Sequence, residues 1–502
     1  MVIYTTMLVV VSIFGLHRYA LVFLYWRHRH RKTEAKGHFD QLPRVTIQLP
    51  MFNERFVAKR IIERTCEIEY PRDLLQIQVL DDSTDDTDTI ASACCDDMRA
   101  KGFDIEYIHR DDRTGFKAGA LANGLKTATG EFVSIFDADF MPEPNFLMQT
   151  VHHFVDPKVC VVQSRWEHIN REESLLTRSQ AIFLDGHFAI EHVSRNRSGR
   201  FMSFNGTGGT WRVCAIEDAG GWAHDTLTED LYLSYRAQLK GWKFVFLPEL
   251  VSPAELPPEM SGFKAQQFRW TKGGAQNAMK LLPKVMFSKA PLKVKVEAFF
   301  HLTGFAMHIF MFGMVLLMFP AMYMQCLPLE NGSLFRGIVD IGIFMLATMS
   351  ATVFYAASQQ VLAGNWRLAT KYMPLMMALG IGLCASNTKA VLEALFGKKS
   401  GFVRTPKYGQ DGGDEYIDAD PVEKRSEARD KKKRNWLAIL EFCLGLYMVA
   451  CITQSLFDIR RATITIPFLV IFAFGFFYVS ILSFKSGKAP VPSKAKLAKE
   501  NA

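Results

Sequence analysis

The sequence predicts an α/β domain with a Rossmann-like, largely parallel sheet, joined to an α-helical transmembrane domain. Two observations carry this. Between about residues 43 and 253, short β-rich runs alternate with amphipathic helical stretches, the pattern of a sheet built from crossover units. Examples are Arg44-Val-Thr-Ile-Gln-Leu, Leu75-Gln-Ile-Gln-Val-Leu, Ile105-Glu-Tyr-Ile and Glu131-Phe-Val-Ser-Ile-Phe. Outside that block, residues 298–329, 341–366 and 462–484 contain no charged side chain, and each reaches the roughly 20 apolar residues a spanning helix needs. Residues 436–456 carry only Glu441, and residues 2–26 are interrupted only by His17 and Arg18.

Basic clusters set the orientation, because positive flanks stay cytosolic. The run Arg27 to Lys32 therefore places the N-terminus outside and residues 27–295 in the cytosol. No small-residue cleavage site precedes it, so an uncleaved anchor is expected rather than a signal peptide. The loop around 327–336 then falls outside, where Asn331-Gly-Ser would be a glycan acceptor in a eukaryote. Keeping Lys398, Lys399, Arg404 and Lys431 to Arg434 cytosolic requires that residues 371–397 do not cross. Their short, Gly- and Ala-rich apolar part and amphipathic continuation fit an interfacial segment. Five spans follow, and only Arg460 and Arg461 sit on the wrong side. The expected division is an N-terminal span (1–26), a basic linker (27–42), the α/β domain (43–253) and an interfacial segment (254–297). Two spans (298–366), the amphipathic segment (371–397), a polar cytosolic loop (398–435), two spans (436–484) and a cytosolic tail (485–502) complete it.

The net charge of +8 is thus mostly a topology signal and calls for no nucleic-acid partner. The nine cysteines show no paired metal-ligand spacing, and a cytosolic domain keeps them reduced.

Four acidic or basic clusters carry chemistry. In an open sheet, ligands bind beyond the carboxyl ends of strands. Asp81 and Asp82 follow one predicted strand, where a carboxylate can accept hydrogen bonds from a nucleoside; a turn in which Asp and Ser cap the next helix explains them equally well. Asp137 and Asp139 follow another, and as alternate residues they point to one side. Two carboxylates held together need a cation, and Mg²⁺ typically takes one or two carboxylates plus substrate phosphates. The third cluster, Asp225-Thr-Leu-Thr-Glu229-Asp230-Leu, precedes an amphipathic helix at about 231–240, so helix capping competes with a general-base role for Asp230. The fourth is Gln266-Gln-Phe-Arg269-Trp270: an arginine fork suits a diphosphate, and an indole suits a pyranose face or a bilayer interface.

In order, these clusters resemble the D, D-x-D, T-E-D, Q-x-x-R-W series of processive family-2 glycosyltransferases, the group that includes cellulose, chitin and hyaluronan synthases. Pro50-Met-Phe-Asn-Glu54, Arg113-Thr-Gly-Phe-Lys117, Phe204-Asn205-Gly-Thr-Gly-Gly-Thr-Trp-Arg212 and Gly220-Gly-Trp look most like the cellulose-synthase-like mannan and glucomannan synthases of plants and their bacterial relatives. The resemblance implies a GT-A catalytic domain and Mg²⁺ or Mn²⁺. It puts Asp81, Asp82, Glu54 and Lys117 at the nucleotide-sugar and Asp137 and Asp139 at the metal, with Asp137 also near the phosphates. Asp230 becomes the catalytic base. Asn205, Glu229, Gln266, Arg269 and Trp270 line the acceptor and diphosphate site. Phe402-Val-Arg404-Thr405-Pro406-Lys407 is similar to a gating loop, F-x-V-T-x-K, with Arg404 and Pro406 as departures. The implied activity is processive β-1,4 transfer from GDP-mannose or UDP-glucose to a growing polysaccharide, exported through the protein's own channel. A bacterial inner membrane or a Golgi membrane would suit. The rivals are single-sugar transfer to a lipid such as ceramide, and a transporter with a nucleotide-sensing domain.

Overall fold

The computed structural model describes residues 2–326, 333–398, 405, 407, 409, 421–456 and 459–485. Phe402, Arg404, Pro406 and Asn331 lie outside the described residues. Seven strands form one sheet: β1 (Val45–Met51), β2 (Leu75–Asp81), β3 (Asp104–His109), β4 (Phe132–Ile135), β5 (Val159–His168), β6 (Gly209–Arg212) and β7 (Lys243–Ala254). Their order is β3-β2-β1-β4-β6-β5-β7. Strands β1 to β4 run parallel, β6 is antiparallel to both its neighbours, and β5 pairs parallel with β7.

Side-chain alternation explains why this sheet buries both faces. Val45, Ile47 and Leu49 of β1 join Leu75, Ile77 and Val79 of β2 in one apolar core with Phe132, Phe146 and Phe154. The opposite face of the same strands is polar yet buried: Thr46 donates to Gln76 (2.8 Å), Gln48 to Gln78 (3.0 Å) and Gln78 to Thr127 (2.9 Å). A buried polar ladder is tolerated because its members pair with one another. A second apolar core gathers Leu121, Phe204, Trp211, Leu233 and Phe246.

Among the described residues, four helices are long and apolar enough to cross a bilayer, over Val2–His28, Leu292–Tyr323, Trp436–Leu456 and Ile466–Lys485, and another runs from Ser333 to Ala363. Residues Arg367–Gly382 and Cys384–Leu395 form a helix pair bent by 41°. The expectation of a loop up to residue 435 is corrected at its end: the helix Pro421–Leu456 begins well before the apolar run. Pro421 occupies the first helical position, and the segment after it is rich in Glu, Lys and Arg, which are good helix formers.

The helix Met260–Met286, which follows β7, ties the sheet domain to these helices. Lys264 donates to both oxygens of Glu441 (2.7 and 2.9 Å), the sole charge in residues 436–456, and that carboxylate is fully buried. Lys272 bonds Glu393 (3.0 Å) and the Lys398 carbonyl (2.7 Å). Breaking a buried pair strands its partner, which costs about 3–5 kcal/mol, whereas replacing both partners is nearly neutral. Glu441→Leu should therefore lower the thermal unfolding midpoint in detergent, and Lys264→Met added to it should recover most of the loss. A single variant that melts like the parent would show that the pair contributes nothing.

Candidate active site

The cleft opens along the carboxyl edge of β1, β2 and β4, where the register aligns Met51 with Asp81. Asp81 is wholly buried, and its carboxylate accepts from the Ser83 N–H (3.0 Å) and the Tyr107 hydroxyl (2.7 Å). It is not among the residues lining the cleft; Asp82 is. Asp82 receives a two-pronged bond from Arg110 (2.7 and 2.5 Å), a group sequence reasoning did not single out. The two neighbouring aspartates thus divide the labour, Asp81 bracing the strand end while Asp82 faces the cleft. Arg113 lies over the Phe52 ring at 3.2 Å, adding a cationic and aromatic wall.

Beyond β4, Asp137 and Asp139 each meet an ammonium. Lys117 bonds Asp137 and the Gly206 carbonyl (2.9 Å), and Lys407 bonds Asp139. Lys117 sits in the first turn of the helix Phe116–Gly124, which is entered through Gly115 at φ +80°. A Cβ on Gly119 of this helix would lie 2.1 Å from the Thr114 carbonyl, so only glycine allows the tight entry. Burial pushes the Asp139 carboxyl up, opposed chiefly by Lys407. Both Thr405 and Lys407 line the cleft, as does Glu54.

Glu229 and Asp230 open the helix Glu229–Leu239, whose preceding Thr228 is held by Asn277 through its carbonyl and hydroxyl (2.8 Å each). Leu227 N–H donates to Gln276 (3.0 Å). These two anchors from the helix Met260–Met286 were not visible in the sequence. Burial, then the neighbouring Glu229, raises Asp230 to about 7. Glu229 is also pushed up by burial, with Lys117 and Arg269 opposing. Asp230 Oδ1 accepts from Leu231 N–H (2.7 Å), which leaves Oδ2 toward the cleft side, where a Cβ on Gly206 would stand 3.1 Å from it. Gly206 has φ +84°, so the segment before β6 requires glycine for both conformation and space.

Gln266, Arg269 and Trp270 lie one turn apart on the helix Met260–Met286 and all reach the cleft. Arg269 is half-buried; desolvation lowers its pKa, and Glu229, Asp137, Asp230 and Asp139 counter the shift. Asn205 lines the same cleft. The fold therefore brings every described site residue predicted from the sequence to one cavity except Asp81. Additional lining groups absent from that reading are Trp166, His168 and Glu255. Glu255 accepts from Arg60 (2.8 Å) and from Gly409 N–H (3.3 Å), fastening the 405–409 stretch to the cleft. Their only sequence signal was proximity to strand ends at β5 and β7.

Residues 43–273 match the model of the family described as glycosyltransferase like family 2. These residues are a family-2 glycosyltransferase domain. A probable glucomannan 4-beta-mannosyltransferase 7 of Oryza sativa subsp. japonica is 43% identical over 269 residues, covering 53% of this chain and 46% of that protein. Glucomannan 4-beta-mannosyltransferase 2 of Arabidopsis thaliana is 42% identical over 281 residues, covering 54% and 53%. The chain spans about half the length of these curated relatives. The mannosyltransferase PcManGT of Pyrobaculum calidifontis, solved with GDP-Man and Mn²⁺, superposes with a TM-score of 0.52 at 20% identity, over 78% of this chain and all of that one. The domain has the GT-A fold, and the apolar helices on either side of it mark a membrane protein.

Proposed function

We propose that this protein is an inverting, processive β-1,4-mannosyltransferase of a membrane, drawing mannosyl units from GDP-mannose to extend a mannan or glucomannan. The observation that carries this reading is Asp230. It is a half-buried carboxylate with a pKa raised to about 7, in one cleft with the Asp137 and Asp139 pair and with Arg269. The mannosyl specificity is supported by relatives at 43% and 42% identity whose names specify that transfer.

Asp230 takes the proton from an acceptor hydroxyl as that oxygen attacks the anomeric carbon. The bond to the diphosphate breaks on the opposite face, so an α-linked donor yields a β-linkage, and the electron pair leaves with the nucleoside diphosphate. Lys117 and Arg269 are the cations placed to receive that charge. Asp82 and the Arg113–Phe52 pair offer a nucleoside-binding wall.

Asp137 and Asp139 suit a divalent cation. Both follow β4 and line one cleft, each draws a cation in the form of an ammonium group, and substrate phosphates would complete the shell. When bound, Mg²⁺ or Mn²⁺ would add positive charge beside the departing diphosphate. Glu54, Gln266 and Trp270 line the donor and acceptor sides, and Thr405 and Lys407 cover the cleft as a gating segment. The proposed topology keeps this cleft cytosolic, in a Golgi or bacterial inner membrane.

The test incubates purified protein with GDP-mannose or UDP-glucose, with Mg²⁺, Mn²⁺ or EDTA. The expected product is a long chain cut by a β-1,4-mannanase, formed from GDP-mannose and abolished by EDTA. A single sugar on an organic-extractable lipid would overturn processivity, and undiminished synthesis in EDTA would overturn the metal assignment.

The pH profile follows from Asp230, which must be ionised to accept a proton. Transfer efficiency should fall on the acid side with a midpoint of about 7. Glu229→Gln removes a like charge that helps raise it, so the limb should move to lower pH. A profile flat from pH 5 to 8 would argue against Asp230 as the base.

A further inference from the structure

A buried hydrogen-bonded cluster stands directly behind Asn205. The helix Leu175–Asp185 continues as a π-helix over Gly186–His192 and then as the helix Val193–Arg197. In an α-helix, residues five apart lie about 140° apart around the axis; the wider π turn brings them back toward one face. His187 and His192 accordingly converge, with ring centroids 4.2 Å apart. Both meet the same amide: Asn205 Nδ2 bonds His187 Nε2 (2.9 Å), and His192 Nε2 bonds Asn205 Oδ1.

The proton directions are internally consistent. His187 Nδ1 lies 3.0 Å from the Glu191 carboxylate, which can only accept, so that nitrogen carries the hydrogen. Nε2 of a neutral His187 then accepts, as Asn205 Nδ2 requires. Asn205 Oδ1 in turn needs a donor, and His192 Nε2–H supplies it. His192 is fully buried, and its Nδ1 has no hydrogen-bond partner among the described residues, as a bare lone pair would. Burial also holds His192 neutral by lowering its pKa well below the usual histidine range. Glu191 is held by Arg195 (3.2 Å), which also bonds Glu297 (2.9 Å), and Glu297 meets His17 of the N-terminal helix (3.1 Å).

We infer that His187 and His192 are positioning residues for the acceptor: they clamp the Asn205 amide in one orientation, leaving one N–H and one lone pair for hydroxyls of the acceptor's terminal sugar. An amide has two donor hydrogens and two acceptor sites, and the histidines consume one of each. A rotating amide would offer the sugar a mixture of donor and acceptor; a clamped one offers a fixed pattern. The inference rests on the reading of the cleft as a saccharide-transfer site.

Glutamine places its amide nitrogen near the position of histidine Nε2, and asparagine places it near Nδ1. His192→Gln should therefore keep the clamp, while His192→Asn should lose it. With GDP-[¹⁴C]mannose and β-1,4-mannohexaose, His192→Asn is expected to raise the acceptor KM about 10-fold, the worth of one buried hydrogen bond. The donor KM should change less than about twofold, and His192→Gln should restore the acceptor KM. Asn205→Ala and Asn205→Ala/His192→Asn should have equal acceptor KM values, since the histidine acts through the amide. Should His192→Asn fail to fold, His187→Asn against His187→Gln supplies the same comparison. Equal behaviour of the Asn and Gln variants, a parallel rise in donor KM, or multiplicative effects in the double variant would each overturn the clamp. A parent protein that transfers no sugar from GDP-mannose or UDP-glucose would instead overturn the reading of the cleft, and this inference with it.

Discussion

Asp230→Asn is expected to reduce sugar transfer by about 10²–10⁴, the usual contribution of a positioned general base, while nucleotide binding persists. The substitution is conservative in structure. Asn can still accept the Leu231 N–H through its side-chain oxygen, so that hydrogen bond at the start of the helix Glu229–Leu239 is kept. It also removes one of two adjacent half-buried acids. Because burial and the neighbouring Glu229 raise the Asp230 pKa from the usual carboxylate range to about 7 on folding, the folded state holds the proton more tightly than the unfolded chain. The associated stability is present at low pH and lost as pH rises through about 7. The variant should therefore melt no lower than the parent at pH 8, and loss of transfer cannot then be ascribed to unfolding. Radiolabelled transfer, binding calorimetry with the nucleotide and thermal midpoints against pH check the three parts. Transfer near the parent rate would remove Asp230 from the mechanism.

Arg269→Ala should produce a comparable defect by a different route. Arg269 is a half-buried cation whose pKa is sustained by Glu229, Asp137, Asp230 and Asp139. In the proposed mechanism, taking it away removes a donor to the departing diphosphate, a loss of about 10²–10³ in rate. It also removes positive charge beside Glu229 and Asp230, so both carboxyls should rise further and the acid limb should move to higher pH. Arg269→Lys keeps the charge without the planar fork and should fall between the two. Rates over a pH series separate these contributions: a lower plateau with an unmoved limb would confine Arg269 to the leaving group. An unchanged plateau would exclude that role.

Much of the catalytic domain could be read from local pattern. Strands β1, β2, β3 and β4 announced themselves through alternation, and Asp82, Asp137 and Asp139 through their place at strand ends. Gln266, Arg269 and Trp270 were legible through residue type, an arginine fork beside an indole close before the apolar runs, and the helix Met260–Met286 then brings them to one cleft. The short β6 was not, since four residues beginning with glycine carry no periodicity. The charged segment after Pro421 was misread as loop because polarity was weighted above helix propensity.

Sequence alone determined the fold class, the apolar helices and the order of the acidic and basic motifs, because each depends on residues close together in the chain. Tertiary structure decided what those motifs do for one another. It turned Asp81 inward to Tyr107 and Asp82 outward to the cleft, paired the lone Glu441 with Lys264, and set Asn277 under the Thr228 that precedes Asp230. It also widened one helical turn so that His187 and His192 meet a single amide. Such pairings join residues far apart in sequence, and the pKa of Asp230 depends on the burial and charge they create. The carboxylate types were in the sequence; their protonation came from packing.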